Sequence, residues 1–321
     1  MTPPYDVLSD MLAGIRSDGA SAHRAALAPP WRLRFEGDAP LTMVTAVTGH
    51  AELVLPDGAR HRLAPGSTAI ARVPFDLADT AATLDRPLPA LAISEAPQAE
   101  AADTVIVAGV YRPAGVRHQR LLRALPEALV LDEEVEDVLW LHSMRVALAR
   151  AHAPGGRAML DRILDWGLVC TLGCWFDRQE AAAPGWYRGA LDPVVAPALA
   201  AVHRAPERAW TVEALAAEAN VSRAHFAKRF TAVMAQPPLR YVAEHRMELA
   251  ADLLADPGVP VAKAAAAVGY RDAFAFSTAF KRHRGVSPRA YRSQRVDIEA
   301  GHSRATSQPT PASRAMRAKK T

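Results

Sequence analysis

The chain has 321 residues, half of them hydrophobic and 22% charged, the balance of a globular protein long enough for about two domains. No apolar run approaches the roughly 20 residues of a membrane-spanning helix, which argues against a membrane protein. Two cysteines are too few for a disulfide framework, and the N-terminal MTPPYDVLSDML has no basic segment followed by an apolar core, so a cytoplasmic protein with reduced thiols is expected.

The formal net charge of +4 conceals an asymmetry. Residues 1–202 carry 18 Lys and Arg against 24 Asp and Glu, residues 203–295 carry 15 against 8, and residues 296–321 carry 5 against 2. A localised basic excess is what a phosphate-binding domain shows, and a solvated face shows it too.

In chain order, Val7, Leu8, Met11, Leu12 and Ile15 fall at helical spacing and predict a short amphipathic helix over 6–16. From about Trp31 to Val110, short apolar runs (LTMVTAV, AELVL, STAIARV, ALAIS, TVIVAGV) alternate with turn residues in PDG, APGS and RP. They predict a small antiparallel β domain. After LLRALPEALVL the period lengthens and predicts helices over 132–152 and 156–180, divided by APGG. Their stripes, Val138, Leu141, Met144 and Leu148, then Leu160, Ile163, Leu164, Leu168 and Leu172, suit either the core or a dimer contact. AAAPGWYRGALDP reads as a linker, and from Asp192 to about Arg295 the chain reads as helical. The final GHSRATSQPTPASRAMRAKKT is polar and basic and is expected to be disordered.

The most informative stretch is WTVEALAAEANVSRAHFAKRF, residues 210–230. Thr211 can cap a helix with Val212, Leu215, Ala216 and Ala219 as apolar positions; NVS turns, and Ser222 can cap the next helix, on which Phe226 and Phe230 share a face. That is the layout of a helix-turn-helix. A second copy follows in VPVAKAAAAVGYRDAFAFSTAFKRHRGVSPRAYR, where Phe276 and Phe280 repeat the pair, and PPLRYVAEHRMELAADLLAD reads as the helix between the copies.

VSRAHFAKRF, PPLRYVAEHRMELA and VGYRDAFAFSTAFKRHRGVSPRAYR together resemble the DNA-binding domain of the AraC/XylS family of bacterial transcription regulators, over about residues 195–293. The resemblance implies two recognition helices set in successive major-groove faces of one site. By position it assigns base reading to Ala224, Ala227 and Lys228 on the first helix, with Arg223 and Arg229 placed for phosphates. On the second helix it assigns Phe274, Ser277 and Thr278, followed by Lys281 and Arg282. Lys228 could donate to guanine, and the alanines could touch only a thymine methyl. Phe274 reads either as an apolar contact to DNA or as packing. Asn220 and Ala235 stand where relatives usually have glycine, and Ala264 replaces a usual isoleucine, which should thin the second motif's core.

GHAELVLPDGARHRLAPGSTAIARVPF, VIVAGVY, LLRALPEALVL and APGGRAMLDRILDWGLV resemble, more loosely, the cupin-type sensor domain found ahead of such DNA-binding domains, over about 5–190. The implied fold class is α+β: a cupin-like β-barrel with a helical dimerisation segment over 1–190, an all-α double helix-turn-helix domain over 191–295, and a disordered basic tail over 296–321. A cupin raises the rival of a metal-dependent oxygenase or isomerase, which sets two histidines one residue apart beside a carboxylate and a third histidine. Here His50 and His61 stand alone, and Pro74, Phe75 and Asp76 occupy the region of a later ligand. No G-x-S-x-G, phosphate loop or H-E-x-x-H occurs, so no enzyme, no metal and no cofactor is expected.

LVCTLGCWF, residues 168–176, holds Cys170 and Cys174 four positions apart on the second predicted helix. Three readings stand: packing, a strained and easily reduced disulfide that senses oxidants, or half of a metal site completed by His142 or His152. The expected function is a homodimeric regulator, or activator, that binds promoter or operator DNA in response to a small molecule in the barrel or to a thiol-reactive signal. Activation would add an RNA polymerase contact that the residues do not locate. The alternative is a DNA-binding protein without sequence preference.

Overall fold

The computed structural model describes residues 6–12, 15, 23–36, 40–85, 88–96, 98–99, 102–112, 116–132, 138–151, 153–256 and 258–293. The chain divides into two compact units, Asp6–Ala190 and the part that begins at Leu191. The expected tail over 296–321 lies outside the described residues.

The first unit opens with α1 (Val7–Leu12) and builds two five-stranded sheets. One has the order β1 (His23–Leu27), β9 (Thr104–Tyr111), β3 (Leu41–Thr48), β6 (Thr68–Ala71) and β10 (Ala128–Leu131). The other has the order β5 (Arg60–Leu63), β4 (Ala51–Val54), β7 (Phe75–Ala78), β2 (Arg32–Phe35) and β8 (Leu91–Ala92). All ladders are antiparallel except the short β2–β8 pair.

Two kinds of pattern produce these strands. In β2 the period is two: Leu33 and Phe35 are buried, while Arg32 and Arg34 lie across the outer face and both bind Asp76 on β7. β3, LTMVTAVT, is buried at every position but its last, as expected of a central strand covered on both faces. Leu27, Leu33, Leu53, Leu63, Leu77 and Ile106 belong to one buried apolar cluster, in which Phe35 stacks on Phe75 at 4.4 Å. At the end of β9, Tyr111 donates its hydroxyl to the Leu164 carbonyl at 2.9 Å.

The sheets differ from the expected barrel, since among the described residues they share no strand and do not close. Their edges explain this: β8 is two residues long before a 3-10 turn at Ile93–Glu95, and β5 is the polar RHRL. Strands β2, β5 and β7 lie inside the predicted β region but in none of its named runs, and β1 and β10 lie outside it. Helices α2 (Ala81–Leu84) and α3 (Val116–Ala124) were not predicted either.

A helical hairpin completes the unit. It consists of α4 (Val138–Ala149) and α5 (Gly156–Arg178), within the two predicted ranges, and α6 (Gly185–Leu191) follows. The hairpin is tight because Gly167 lies under Trp140; a β-carbon there would stand 2.8 Å from the indole ring. Of the predicted stripes, Leu141, Met144, Leu160, Leu164, Leu168 and Leu172 are buried, whereas Leu148 and Ile163 are half-buried. The outer positions Leu139, Val146, Trp166 and Val169 are exposed by 65, 48, 38 and 42%.

The second unit is helical: α7 (Ala196–Arg204), α8 (Val212–Glu218), α9 (Arg223–Met234), α10 (Pro238–Ala255), α11 (Val261–Ala267) and α12 (Ala273–Arg284). No helix among the described residues is long and apolar enough to cross a membrane.

Candidate nucleic-acid interface

Helices α8 and α9 form one helix-turn-helix, and α11 and α12 form another. The caps read from the sequence are present. The Ala214 amide donates to Thr211 Oγ1 at 3.1 Å, and the His225 amide to Ser222 Oγ at 3.3 Å. In the second motif Asp272 takes the place of Ser222 and accepts from the amides of Phe274 at 3.1 Å and Ala275 at 2.8 Å. Those two hydrogen bonds hold its carboxyl below the usual carboxylate range.

The two motifs are packed as copies. Phe226 and Phe230 stand 5.5 Å apart at 49°, and Phe276 and Phe280 stand 5.6 Å apart at 47°. Tyr241 meets Phe230 edge-on at 5.8 Å, and Tyr291 meets Phe280 in the same way at 5.6 Å. All three correspondences are fifty residues apart, so the repeat extends past the helices into the segment after each one. All four phenylalanines are at most 1% exposed. The copies differ at the turn. Four residues separate α8 from α9, and five separate α11 from α12. The left-handed residue is Asn220 in the first turn (φ 54°) and Gly269 in the second (φ 81°). Ala264, expected to thin the second core, is fully buried.

The 205–210 loop braces both motifs. Arg246, on α10, donates to the carbonyls of Pro206 at 2.7 Å and Arg208 at 2.6 Å. Arg208 lies 4.4 Å over the Trp210 ring and reaches Glu218 on α8 at 3.0 Å. On its other side, the Glu207 backbone presses against Gly269, where a β-carbon would stand 2.4 Å from the Glu207 carbonyl oxygen.

With the aromatic pairs inside, the positions assigned to DNA face outward. On α9, Arg223, Ala224, Lys228 and Arg229 are exposed and Ala227 is half-buried. On α12, Thr278, Lys281 and Arg282 are exposed and Ser277 is half-buried; Phe274 is 80% exposed, which removes the packing reading. The outer face of α9 is thus cationic, while that of α12 is apolar at its first turn and cationic at its last.

Two of the cations have protein partners that the sequence did not reveal. Arg223 pairs with Glu213 at 2.8 Å. Arg229 binds Asp192 Oδ2 at 2.7 Å through Nε and 2.5 Å through Nη2, and Asp192 is 5% exposed. The other oxygen of that carboxylate accepts from the amides of Val194 and Val195 just before α7. Arg229 therefore has a structural duty, although half of its side chain stays open to solvent. Asp192 sits in the predicted linker, 37 residues away, and no local pattern announces the pair. Asp272 could have been found by carrying the fifty-residue offset back from the phenylalanines to Ser222.

Cys170 and Cys174 lie on α5, both half-buried and neither in a disulfide. Among the described residues, no group of three or more His, Cys, Asp or Glu side chains could hold a metal ion. His142 is exposed, and His152 lies outside the described residues.

A two-sheet unit with a helical hairpin, followed by a doubled helix-turn-helix, defines a protein that carries a sheet-built domain ahead of a DNA-binding one. Residues 6–177 match the family described as Cupin, to which the chain belongs, and residues 215–294 match the family described as Helix-turn-helix domain.

It is 44% identical over 125 residues to an AraC-like transcription regulator of Streptomyces antibioticus, a match covering 39% of this chain and 41% of that one. The chain thus spans about two fifths of that relative's length. It is 28% identical over 301 residues to the RCS-specific HTH-type transcriptional activator RclR of Escherichia coli K12, covering 89% of this chain and 97% of that one. Among solved structures, the DNA-binding domain of AdpA, the global transcriptional factor, in complex with a target DNA, aligns at 33% identity with a TM-score of 0.30. That alignment covers 32% of this chain and 92% of AdpA's.

Proposed function

We propose that this chain is a homodimeric, cytoplasmic, sequence-specific transcription regulator, in which residues 1–190 receive a signal and residues 191–295 read DNA. The observation that carries the reading is the doubled motif, whose two helices bury matched phenylalanine pairs and turn Lys228 and Phe274 to solvent. Those are the positions a helix offers to base edges in the major groove. Lys228 donates to a guanine edge, while Ala224, Ala227 and Phe274 contact thymine methyls. Ser277 and Thr278 add short hydroxyl contacts. Arg223, Lys281 and Arg282 bind phosphates, as does the open edge of Arg229. The role is regulatory and not catalytic, and the likeness to a transcriptional activator of Escherichia coli favours activation through a polymerase contact.

The exposed apolar face of the hairpin supports the dimer, since Leu139, Val146, Trp166 and Val169 are the residues a second copy would cover. A signal that shifts this hairpin changes the spacing of two DNA-binding units on their half-sites. Cys170 and Cys174, one helical turn apart on α5, favour a second reading of the signal as an oxidant or electrophile.

The test is a titration of the protein's own upstream DNA at about 150 mM salt, against random DNA. Specific binding tighter by roughly a thousandfold is expected. Lys228→Ala should weaken it at particular bases by about 1–3 kcal/mol, and Phe274→Ala should match the effect of replacing site thymines with deoxyuridine. Equal affinity for both DNAs defeats the reading and leaves general phosphate binding. Repeating the titration with reductant and with mild oxidant, on the wild type and a Cys170→Ser, Cys174→Ser variant, decides the thiol reading: an oxidant effect absent from the variant is expected.

A further inference from the structure

The interior between the two sheets is lined by apolar side chains, with no charged group in that cluster. A cavity of about 380 Å³ lies elsewhere in the first unit, between the β1–β9 edge and the helical hairpin. Its volume is within the usual range of small-molecule sites. Val107 of β9, Leu148 of α4 and Leu160 of α5 give it apolar walls; His23 and Arg24 of β1 and Arg157 of α5 bring three nitrogen-bearing side chains to it.

No acid answers these groups among the described residues. Arg24 gives one Nη to Gln98 at 3.1 Å, and Gln98 in turn donates to the Arg24 carbonyl at 2.7 Å, which fixes the side chain; its Nε is buried with no acceptor. Such an atom costs stability unless something binds it. Arg157 sits in the first turn of α5, at the positive end of the helix, where a cation is disfavoured unless an anion is near. The His23 imidazole is pushed below its ordinary pKa, first by burial and then by the charge of Arg157. The sequence placed these three residues in no motif; they meet only because β1 is the sheet edge beside the start of α5.

We propose that this cavity binds an organic monoanion with a compact apolar body, its carboxylate held by Arg24, Arg157 and His23 and its hydrocarbon by Val107, Leu148 and Leu160. The ligand would tie the sheet edge to the hairpin that carries the exposed apolar face. Its role as an effector rests on the regulator reading above; its binding does not.

The test uses the full chain, calorimetry, and two probes of one shape: 1-naphthoate and the neutral 1-naphthamide. Naphthoate is expected to bind one per chain, and naphthamide at least about tenfold more weakly. Arg24→Gln and Arg157→Gln should each erase that preference while leaving the weaker naphthamide binding in place. Leu148→Trp, which fills the cavity from its apolar side, should abolish binding of both probes and serves if an arginine variant fails to fold, as judged by circular dichroism. Equal binding of the two probes, absence of naphthoate binding at about millimolar concentration, or unchanged naphthoate affinity in the folded variants overturns the proposal. Specific DNA binding by the same preparation is measured alongside, so that failure of the site and failure of the regulator reading are told apart.

Discussion

Ala235 ends α9 with φ 56° and ψ 21°, where the second motif has Gly285 at φ 77°. A β-carbon in the left-handed region costs about 1 kcal/mol or more, so Ala235→Gly should raise stability by about that amount. The opposite change at Gly269 should be worse than the mirror of this effect, because its φ of 81° is compounded by the Glu207 carbonyl 2.4 Å from any β-carbon. Thermal melts of Ala235→Gly and Gly269→Ala check both signs. Arg229 and Lys228 separate structure from recognition at neighbouring positions. Arg229→Ala leaves the Asp192 carboxylate buried without its cation and should lower stability by about 1–2 kcal/mol, less than for a fully buried pair because Arg229 is half-exposed. Lys228→Ala should leave the melting temperature unchanged and weaken only DNA binding. Loss of stability in both, or in neither, would contradict this division.

At the scale of the element, helices α9 and α12 share a fold but not a start. Ser222 caps α9 with a hydroxyl and Asp272 caps α12 with a carboxylate, so only the second start titrates. The folded chain holds Asp272 below its ordinary pKa, whereas the unfolded chain does not. The cap therefore contributes fully above the ordinary carboxylate range, and its contribution is lost as pH falls through the depressed folded value. Asn caps nearly as well and does not ionise. The melting difference between wild type and Asp272→Asn should thus be constant above about pH 5 and change towards pH 3, while Ser222→Ala shifts the melt equally at every pH. A flat difference for Asp272→Asn would mean that the carboxylate is not the working cap. Caps, turns and phenylalanine pairs were legible because each is set by residues within one turn of each other. The individual strands β1, β2, β5, β7 and β10 were not, since four- and five-residue segments such as HRAAL and FDLA carry no period long enough to separate strand from loop.

For the whole molecule, the proposed dimer places the outer face of the hairpin at its seam. Trp166→Glu with Val169→Glu places charge on the exposed apolar face and should convert a dimer to a monomer in sedimentation, with the melting temperature of the first unit unchanged. An unaltered dimer would move the interface elsewhere. By itself the sequence determined the order of a sheet-built half and a helical half, the two hairpin helices and the doubled helix-turn-helix, because periodicity and capping are local properties of the chain. The tertiary structure alone decided that the sheets stay open, that Phe274 projects into solvent, that Arg229 serves Asp192, and that His23, Arg24 and Arg157 share one cavity. Each of these depends on partners tens of residues apart, and only the fold sets which distant side chains meet and which are left facing water.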